Sequence, residues 1–105
     1  MAKVAIMGAG SWGTALALNL HRNGHEVTVW SISEEEVKEL SKEREHKSKL
    51  PGVKIPEDML FTTSIEDAVV GKDFIVLAVP SPFTRITARK MSPFVREGQI
   101  IVDVA

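Results

Sequence analysis

Short apolar runs rich in β-branched residues alternate along the chain with segments of helical periodicity. The clearest strand is predicted at Asp73 to Val79, where a continuous apolar run is typical of a strand covered on both faces. The spacing leaves room for a helix between each strand and the next. The other predicted strands are Lys3 to Met7, Glu26 to Trp30, Leu60 to Thr62 and Gln99 to Val104.

Helices are predicted in the gaps between these strands. The segment from Trp12 to Asn23 is rich in Ala and Leu, and Gly24 ends it because glycine accepts the left-handed conformation at a C-terminal cap. Ser33 and Ser64 are predicted N-caps, since acidic residues that favour the positive end of a helix dipole follow each of them. The remaining helices then run from Ser33 to about Ser41, from Ser64 to Gly71 and, after the break at Pro80-Ser81-Pro82, from about Phe83 to Met91.

The alternation of strands and helices determines the predicted fold class. Strands separated by helices pair in parallel through right-handed crossovers, which gives an α/β fold with a doubly wound, Rossmann-type parallel sheet and helices on both faces. A chain of 105 residues has room for one hydrophobic core. We therefore expect residues 1–105 to form a single small domain or a piece of one.

Composition and charge exclude several classes of protein. The chain holds 13 Lys and Arg against 14 Asp and Glu, so nothing predicts a nucleic-acid partner or an anionic membrane surface. The absence of cysteine excludes a disulfide framework, a thiolate nucleophile and cysteine-based metal sites. The apolar runs are far below the roughly 20 residues of a membrane span, and Met1 leads into the first strand without a signal peptide. We expect a cytoplasmic protein.

The strongest chemical signal is a G-x-G-x-x-G loop between the first strand and the first helix. Gly8 allows the tight turn, Gly10 lets the backbone approach a pyrophosphate, and Gly13 lets the helix pack close to the strand. The amides near Ser11 and Trp12, at the helix N-terminus, would then face the phosphates. The motif is weak in isolation, but its place between a strand and a helix predicts a dinucleotide site.

The end of the second strand lacks the acidic residue that usually holds the adenosine ribose. Trp30 is followed by Ser31-Ile32-Ser33, and carboxylates begin only at Glu34. An arginine that would suit the 2′-phosphate of NADP is absent there as well. The residues predict a dinucleotide but leave the choice between NAD and NADP open.

The charged and ionisable residues outside the glycine loop favour structural interpretations. The stretch from Glu34 to Lys49 mixes both signs, which is typical of a solvated helix face. His21, His25 and His46 are scattered without metal-site spacing, so we expect ordinary surface histidines. We assign neither a metal ligand nor a catalytic residue in this chain.

Several motifs together resemble one family. They are GAGSWGTALA from Gly8 to Ala17, NGHEV from Asn23 followed by Trp30, LPGVKIP from Leu50, and AVPS from Ala78 with Arg85 beyond it. In this order, across essentially the whole chain, they resemble the NAD(P)-dependent glycerol-3-phosphate dehydrogenases. The combination is far more specific than the glycine loop alone.

The resemblance implies that the loop contacts the dinucleotide and that Ile32 lies by the adenosine. Many bacterial members of the family have arginine at that place, whereas Ile32 offers only apolar contact to an adenine face. NAD is therefore slightly favoured over NADP, with Lys38 or Lys42 left open as a contact to a 2′-phosphate. Ile32 as a packing residue at the helix entry and Phe83 as plain core are the alternatives. The cofactor-binding candidates are Gly8, Gly10, Ser11, Trp12, Gly13, Ile32, Ser33, Pro80 and Phe83.

The resemblance also implies an oxidoreductase that interconverts sn-glycerol 3-phosphate and dihydroxyacetone phosphate, feeding phospholipid synthesis in bacteria. In the family, a Lys-Gly pair follows the fifth strand, and a catalytic lysine and a phosphate-binding arginine lie in a helical second domain. We therefore expect residues 1–105 to be the N-terminal nucleotide-binding portion of a longer enzyme. Apolar surface would be exposed where the second domain docks, which would also allow self-association into a homodimer.

Two alternative functions stay open on these residues. The chain could act as a stand-alone, non-catalytic dinucleotide-binding module, since the glycine loop would serve that role equally well. It could also belong to a related dehydrogenase with another substrate, although the Ser-Trp pair in the loop and the LPG segment argue against this.

Overall fold

The computed structural model describes residues 1–104 as a parallel sheet with helices on both faces. Ala105, the last residue of the predicted domain, lies outside the described residues. The strands are β1 (Lys3–Met7), β2 (Glu26–Trp30), β3 (Leu60–Thr62), β4 (Phe74–Leu77) and β5 (Ile100–Asp103). The helices are α1 (Ser11–Arg22), α2 (Glu34–Glu43), α3 (Ile65–Val69) and α4 (Ser81–Met91), followed by a 3-10 turn at Ser92–Phe94.

The strand order is β3-β2-β1-β4-β5, and neighbouring strands of this sheet pair in parallel. Met7, at the end of β1, is in register with Trp30 on one side and with Leu77 on the other. The chain therefore winds outward from β1 in both directions, which confirms the predicted doubly wound fold.

Alternation along β1 separates the hydrophobic core into two layers. Val4 and Ile6 pack with Ala17 of α1 and Leu40 of α2 on one face of the sheet. Ala5 and Met7 point to the other face, where they pack with residues of α3 and α4. The central strand is thus covered on both sides, as expected for a parallel sheet.

The predicted helix ends are confirmed where side-chain or glycine chemistry determines them. The hydroxyl oxygens of Ser33 and Ser64 each accept a hydrogen bond, 3.1 Å long, from the backbone amide three residues later. Gly24 has a positive φ of 89° after α1.

Helix α4 begins earlier than the sequence predicts, at Ser81 rather than at about Phe83. Pro82 lies in its first turn, where proline is tolerated because that amide has no partner within the helix. The proline pair therefore starts the helix instead of separating it from β4.

Strand β5, an edge strand of the described sheet, exposes apolar side chains. Ile100, Ile101 and Val102 are exposed, and an apolar cavity of about 360 Å³ lies beside Val102. Exposed apolar side chains, as predicted from the sequence, are therefore present at β5. That a second domain docks on them stays a prediction.

Candidate dinucleotide-binding site

A cavity of about 680 Å³ lies at the carboxyl ends of β1, β2 and β4. Three segments form most of its wall: residues 8–13, residues 30–32 and residues 78–81. Strand order reverses direction at β1, and ligands of open α/β sheets bind in the crevice at such a point. The cavity therefore occupies the place that the fold offers to a ligand.

Close packing around the glycine loop requires Gly8 and Gly13. Gly8 has a φ of 134°, and a Cβ atom there would lie 2.7 Å from the carbonyl oxygen of Ala78. A Cβ atom on Gly13 would overlap the carbonyl oxygen of Gly8. Both residues are needed to fold the loop tightly against the end of β4.

Gly10 differs from the other two loop glycines. Its φ is −69°, and no heavy atom beyond its two adjacent residues lies within 4 Å of a Cβ atom built on it. The protein itself therefore does not require glycine here. Gly10 faces the cavity, and the missing side chain leaves its backbone open to a ligand.

The N-terminus of α1 opens into the same cavity. Gly10 is the N-cap and provides no side-chain hydrogen bond, and the first turn contains no acidic residue. Ser11 and Trp12, both exposed, follow it and line the cavity. The free amides of a first helical turn and the helix dipole favour an anion at this position.

Trp30, which ends β2, and the residues after it occupy different environments. Trp30 is buried and donates its indole N–H to the carbonyl oxygen of Thr63 at 3.0 Å. Ile32 lines the cavity and is 76% exposed, so it does not pack at the helix entry. Ser33 caps α2 and is not among the residues that line the cavity.

Helix α4 and the residues before it form the opposite, mainly apolar wall. Pro80 and Phe83 both line the cavity. Phe83 is 56% exposed, so the alternative that it belongs to the core is wrong. The predicted cofactor contacts on the glycine loop, at Ile32, at Pro80 and at Phe83 therefore surround one cavity.

His46 is buried beneath this site, although the sequence predicts a surface histidine. Its side chain is 2% exposed, and its Nε2 lies 2.9 Å from the carbonyl oxygen of Ala9 and 3.1 Å from Oε2 of Glu36. Both neighbours are acceptors, so Nε2 carries the hydrogen and donates to them. The other carboxylate oxygen of Glu36, Oε1, accepts from the hydroxyl of Ser31 at 2.6 Å.

The prediction of a solvated helix face from Glu34 to Lys49 is therefore wrong at particular residues. Glu36 and His46 turn inward, and Arg44 has a left-handed φ of 54° after α2. The guanidinium of Arg44 donates to the carbonyl oxygens of Pro56 and Met59 at 3.0 and 2.6 Å. The sequence could not predict these contacts, because the partners of Glu36, His46 and Arg44 are distant in the chain or lie on other elements.

Among residues 1–104, His, Asp and Glu side chains form no group that could hold a metal ion. Within the same residues, no helix is both long and apolar enough to cross a membrane.

Comparison with known proteins agrees with this geometry. The family described as NAD-dependent glycerol-3-phosphate dehydrogenase N-terminus matches residues 3–105. A glycerol-3-phosphate dehydrogenase [NAD(P)+] from Agathobacter rectalis is 60% identical over the whole chain, which covers 31% of that relative. A similarly named protein, numbered 2, from Lactobacillus delbrueckii is 52% identical over the same length and is also covered to 31%.

A solved structure of glycerol-3-phosphate dehydrogenase from Coxiella burnetii superposes with a TM-score of 0.91 at 33% identity. The alignment covers 97% of this chain and 31% of that one. The chain thus spans about a third of the length of the relatives that it matches. On these matches the chain belongs to the family of NAD-dependent glycerol-3-phosphate dehydrogenase N-terminal domains.

Proposed function

We propose that this chain is the dinucleotide-binding domain of an oxidoreductase that interconverts sn-glycerol 3-phosphate and dihydroxyacetone phosphate. The observation that carries the proposal is the glycine loop. Gly8 and Gly13 are required by packing, whereas Gly10 is required by nothing in the protein and faces the cavity. The relatives named glycerol-3-phosphate dehydrogenase support the choice of substrate.

In this proposal the backbone amides of Ser11 and Trp12 hold the pyrophosphate of the dinucleotide. Ile32, exposed beside the end of β2, provides an apolar surface for the adenine. Pro80 and Phe83 border the cavity on the α4 side and orient the nicotinamide half. The nicotinamide, when bound, supplies hydride transfer to or from C2 of the substrate.

We assign no catalytic residue to the described part of the chain. The charged side chains that line the cavity are Glu36, Lys49 and Lys90. The Nζ of Lys49 lies 3.8 Å from Oε2 of Glu36. Both residues are beside the end of β2, on the side of the cavity that we assign to adenosine. We propose that the groups that bind the substrate and move its proton belong to the remaining two thirds of the longer enzyme.

For the cofactor we propose a preference for NAD over NADP. The support is that Ile32 carries no charge at the place where the resemblance would put an arginine. Lys38, one of the two lysines left open as a phosphate contact, is exposed and pairs with Glu34 at 3.8 Å on the surface of α2. Lys38 and Lys42 are not among the cavity-lining residues.

Homodimerisation and a cytoplasmic location stay predictions. The exposed apolar side chains of β5 support an association with either a second domain or a second copy.

A calorimetric titration of the chain with NAD and NADP, each in oxidised and reduced form, tests the proposed cofactor role. We expect saturable binding at one site per chain, with NAD at least as tight as NADP. The substrate is tested separately, by turnover of dihydroxyacetone phosphate with NADH in the longer enzyme. Absence of binding by all four nucleotides would overturn the proposal.

A further inference from the structure

We propose that Glu36 is the acidic residue that recognises the adenosine ribose and disfavours a 2′-phosphate. This inference rests on the proposed dinucleotide-binding function and concerns the selection between its two cofactors. In nucleotide-binding sheets of this type, a carboxylate at the end of the second strand usually accepts from the ribose hydroxyls. Here helix α2 provides that carboxylate instead of β2.

The first reason is the position of the Glu36 carboxylate. Glu36 belongs to the first turn of α2, but its Oε1 accepts from the hydroxyl of Ser31 at 2.6 Å. Ser31 directly follows the last residue of β2. This hydrogen bond draws the carboxylate back to the carboxyl end of β2, and both residues line the cavity.

The second reason is the contact with the glycine loop. The buried Nε2 of His46 donates to Oε2 of Glu36 and to the carbonyl oxygen of Ala9, at 3.1 and 2.9 Å. Ala9 lies between Gly8 and Gly10, at the turn that faces the pyrophosphate in our proposal. His46 therefore acts as a positioning residue that holds the carboxylate between the glycine loop and β2, where a ribose joins adenine to phosphate.

The third reason is that the carboxylate retains acceptor capacity. A carboxylate offers about four lone-pair sites, and the recorded side-chain hydrogen bonds come from Ser31 and His46. Its side chain is 20% exposed, on the cavity side. A ribose hydroxyl can donate to such an oxygen, whereas a 2′-phosphate is an anionic acceptor and would be repelled.

Lys49 is the charged residue that could give the opposite selectivity. Its Nζ lies 3.8 Å from Oε2 of Glu36, and its side chain is 47% exposed. The carboxylate of Glu36 offsets the positive charge of this ammonium. The hydrogen bonds from Ser31 and His46 fix the position of Glu36, whereas the exposed side chain of Lys49 is held less firmly. We therefore assign the selection to Glu36.

The test compares Glu36→Gln with Glu35→Gln by calorimetry with NAD and with NADP. Each variant removes one negative charge from the first turn of α2, but Glu35 is exposed and does not line the cavity. We expect Glu36→Gln to bind NAD about ten-fold more weakly and NADP more tightly, and Glu35→Gln to match the unmodified chain. Thermal unfolding of both variants shows whether each is folded. If Glu36→Gln leaves the ratio of the NAD and NADP affinities unchanged, including by weakening both equally, the proposal is overturned.

A second measurement needs no variant. The unmodified chain is titrated with an NAD analogue that lacks the 2′-hydroxyl of the adenosine ribose. We expect it to bind about ten-fold more weakly than NAD, because the donor to Glu36 is missing. Equal affinity for NAD and the analogue, or tighter binding of NADP than of NAD, contradicts the role of Glu36. If the proposed dinucleotide-binding function itself is wrong, none of these nucleotides binds. This result differs from those that contradict only the role of Glu36.

Discussion

The Nε2 of His46 lies 2.9 Å from the carbonyl oxygen of Ala9, although 37 residues separate the two along the chain. This hydrogen bond connects the irregular segment after α2 to the glycine loop after β1. Thr14 of α1 donates to the same carbonyl oxygen through its hydroxyl at 3.2 Å. The loop conformation thus depends on a segment outside the strand-loop-helix unit that contains the motif.

Replacing His46 by alanine should destabilise the chain and weaken dinucleotide binding. The change opens a cavity, removes one donor to Ala9 and deprives Glu36 of its buried partner. We expect a loss of about 1–3 kcal/mol in the free energy of unfolding, measured by urea titration. His21→Ala is the matched control: its partner Asp58 is exposed, so we expect a smaller loss. Equal losses for the two variants would contradict the structural role of His46.

Gly10→Ala should weaken NAD binding strongly without unfolding the chain. A Cβ atom at Gly10 meets no protein atom beyond the adjacent residues within 4 Å but projects where the proposal places the pyrophosphate. We expect an unfolding midpoint close to that of the unmodified chain and at least about a ten-fold loss of NAD affinity. Gly8→Ala should instead destabilise the fold, because its Cβ would meet the carbonyl of Ala78. Full NAD affinity in Gly10→Ala would show that the open side of the loop is not the phosphate site.

The pair formed by His21 and Asp58 should make stability depend on pH in the acid range. The hydrogen bond from His21, 2.8 Å long, lowers the pKa of Asp58 below its ordinary value of 3.8. Because the folded pKa lies below the unfolded one, the pair stabilises the fold above pH 3.8 and ceases to do so as the pH falls through the folded pKa. Asp58→Asn should therefore lower the melting temperature slightly at pH 5 to 6, and the difference should vanish at strongly acid pH. A difference in melting temperature between Asp58→Asn and the unmodified chain that grew as the pH fell would contradict this prediction.

The 105-residue chain alone should not reduce dihydroxyacetone phosphate with NADH or NADPH. Its described residues include no group that we assign to proton transfer, and it spans 31% of a relative with the proposed activity. The measurement is the loss of nicotinamide absorbance with purified chain, with the longer enzyme as positive control. Turnover by the chain alone would show that it contains catalytic groups that we have not identified.

Local chemistry accounts for what the sequence predicted well. Strand β1, the hydroxyl caps at Ser33 and Ser64 and the positive φ of Gly24 each depend on residues adjacent in the chain. The glycine loop was predictable for the same reason, since its strand, turn and helix are consecutive in the chain. The start of α4 at Ser81 was missed because proline in a first turn resembles a helix break.

The buried polar contacts could not be predicted from one sequence. Glu36 and Glu35 are chemically identical neighbours, and only the fold turns one towards Ser31 and His46. A histidine in a charged stretch is typically solvated, whereas His46 is buried and contacts the carbonyl oxygen of Ala9 in the glycine loop. Long-range packing therefore determined the part of the site that sequence spacing did not reveal.

A crystal structure of the chain with bound NAD tests the central claim most directly. The account predicts pyrophosphate oxygens within hydrogen-bond distance of the Ser11 and Trp12 amides, above Gly10, with the adenosine beside Ile32. A nucleotide bound elsewhere on the molecule, or an empty loop at saturating NAD, would contradict it.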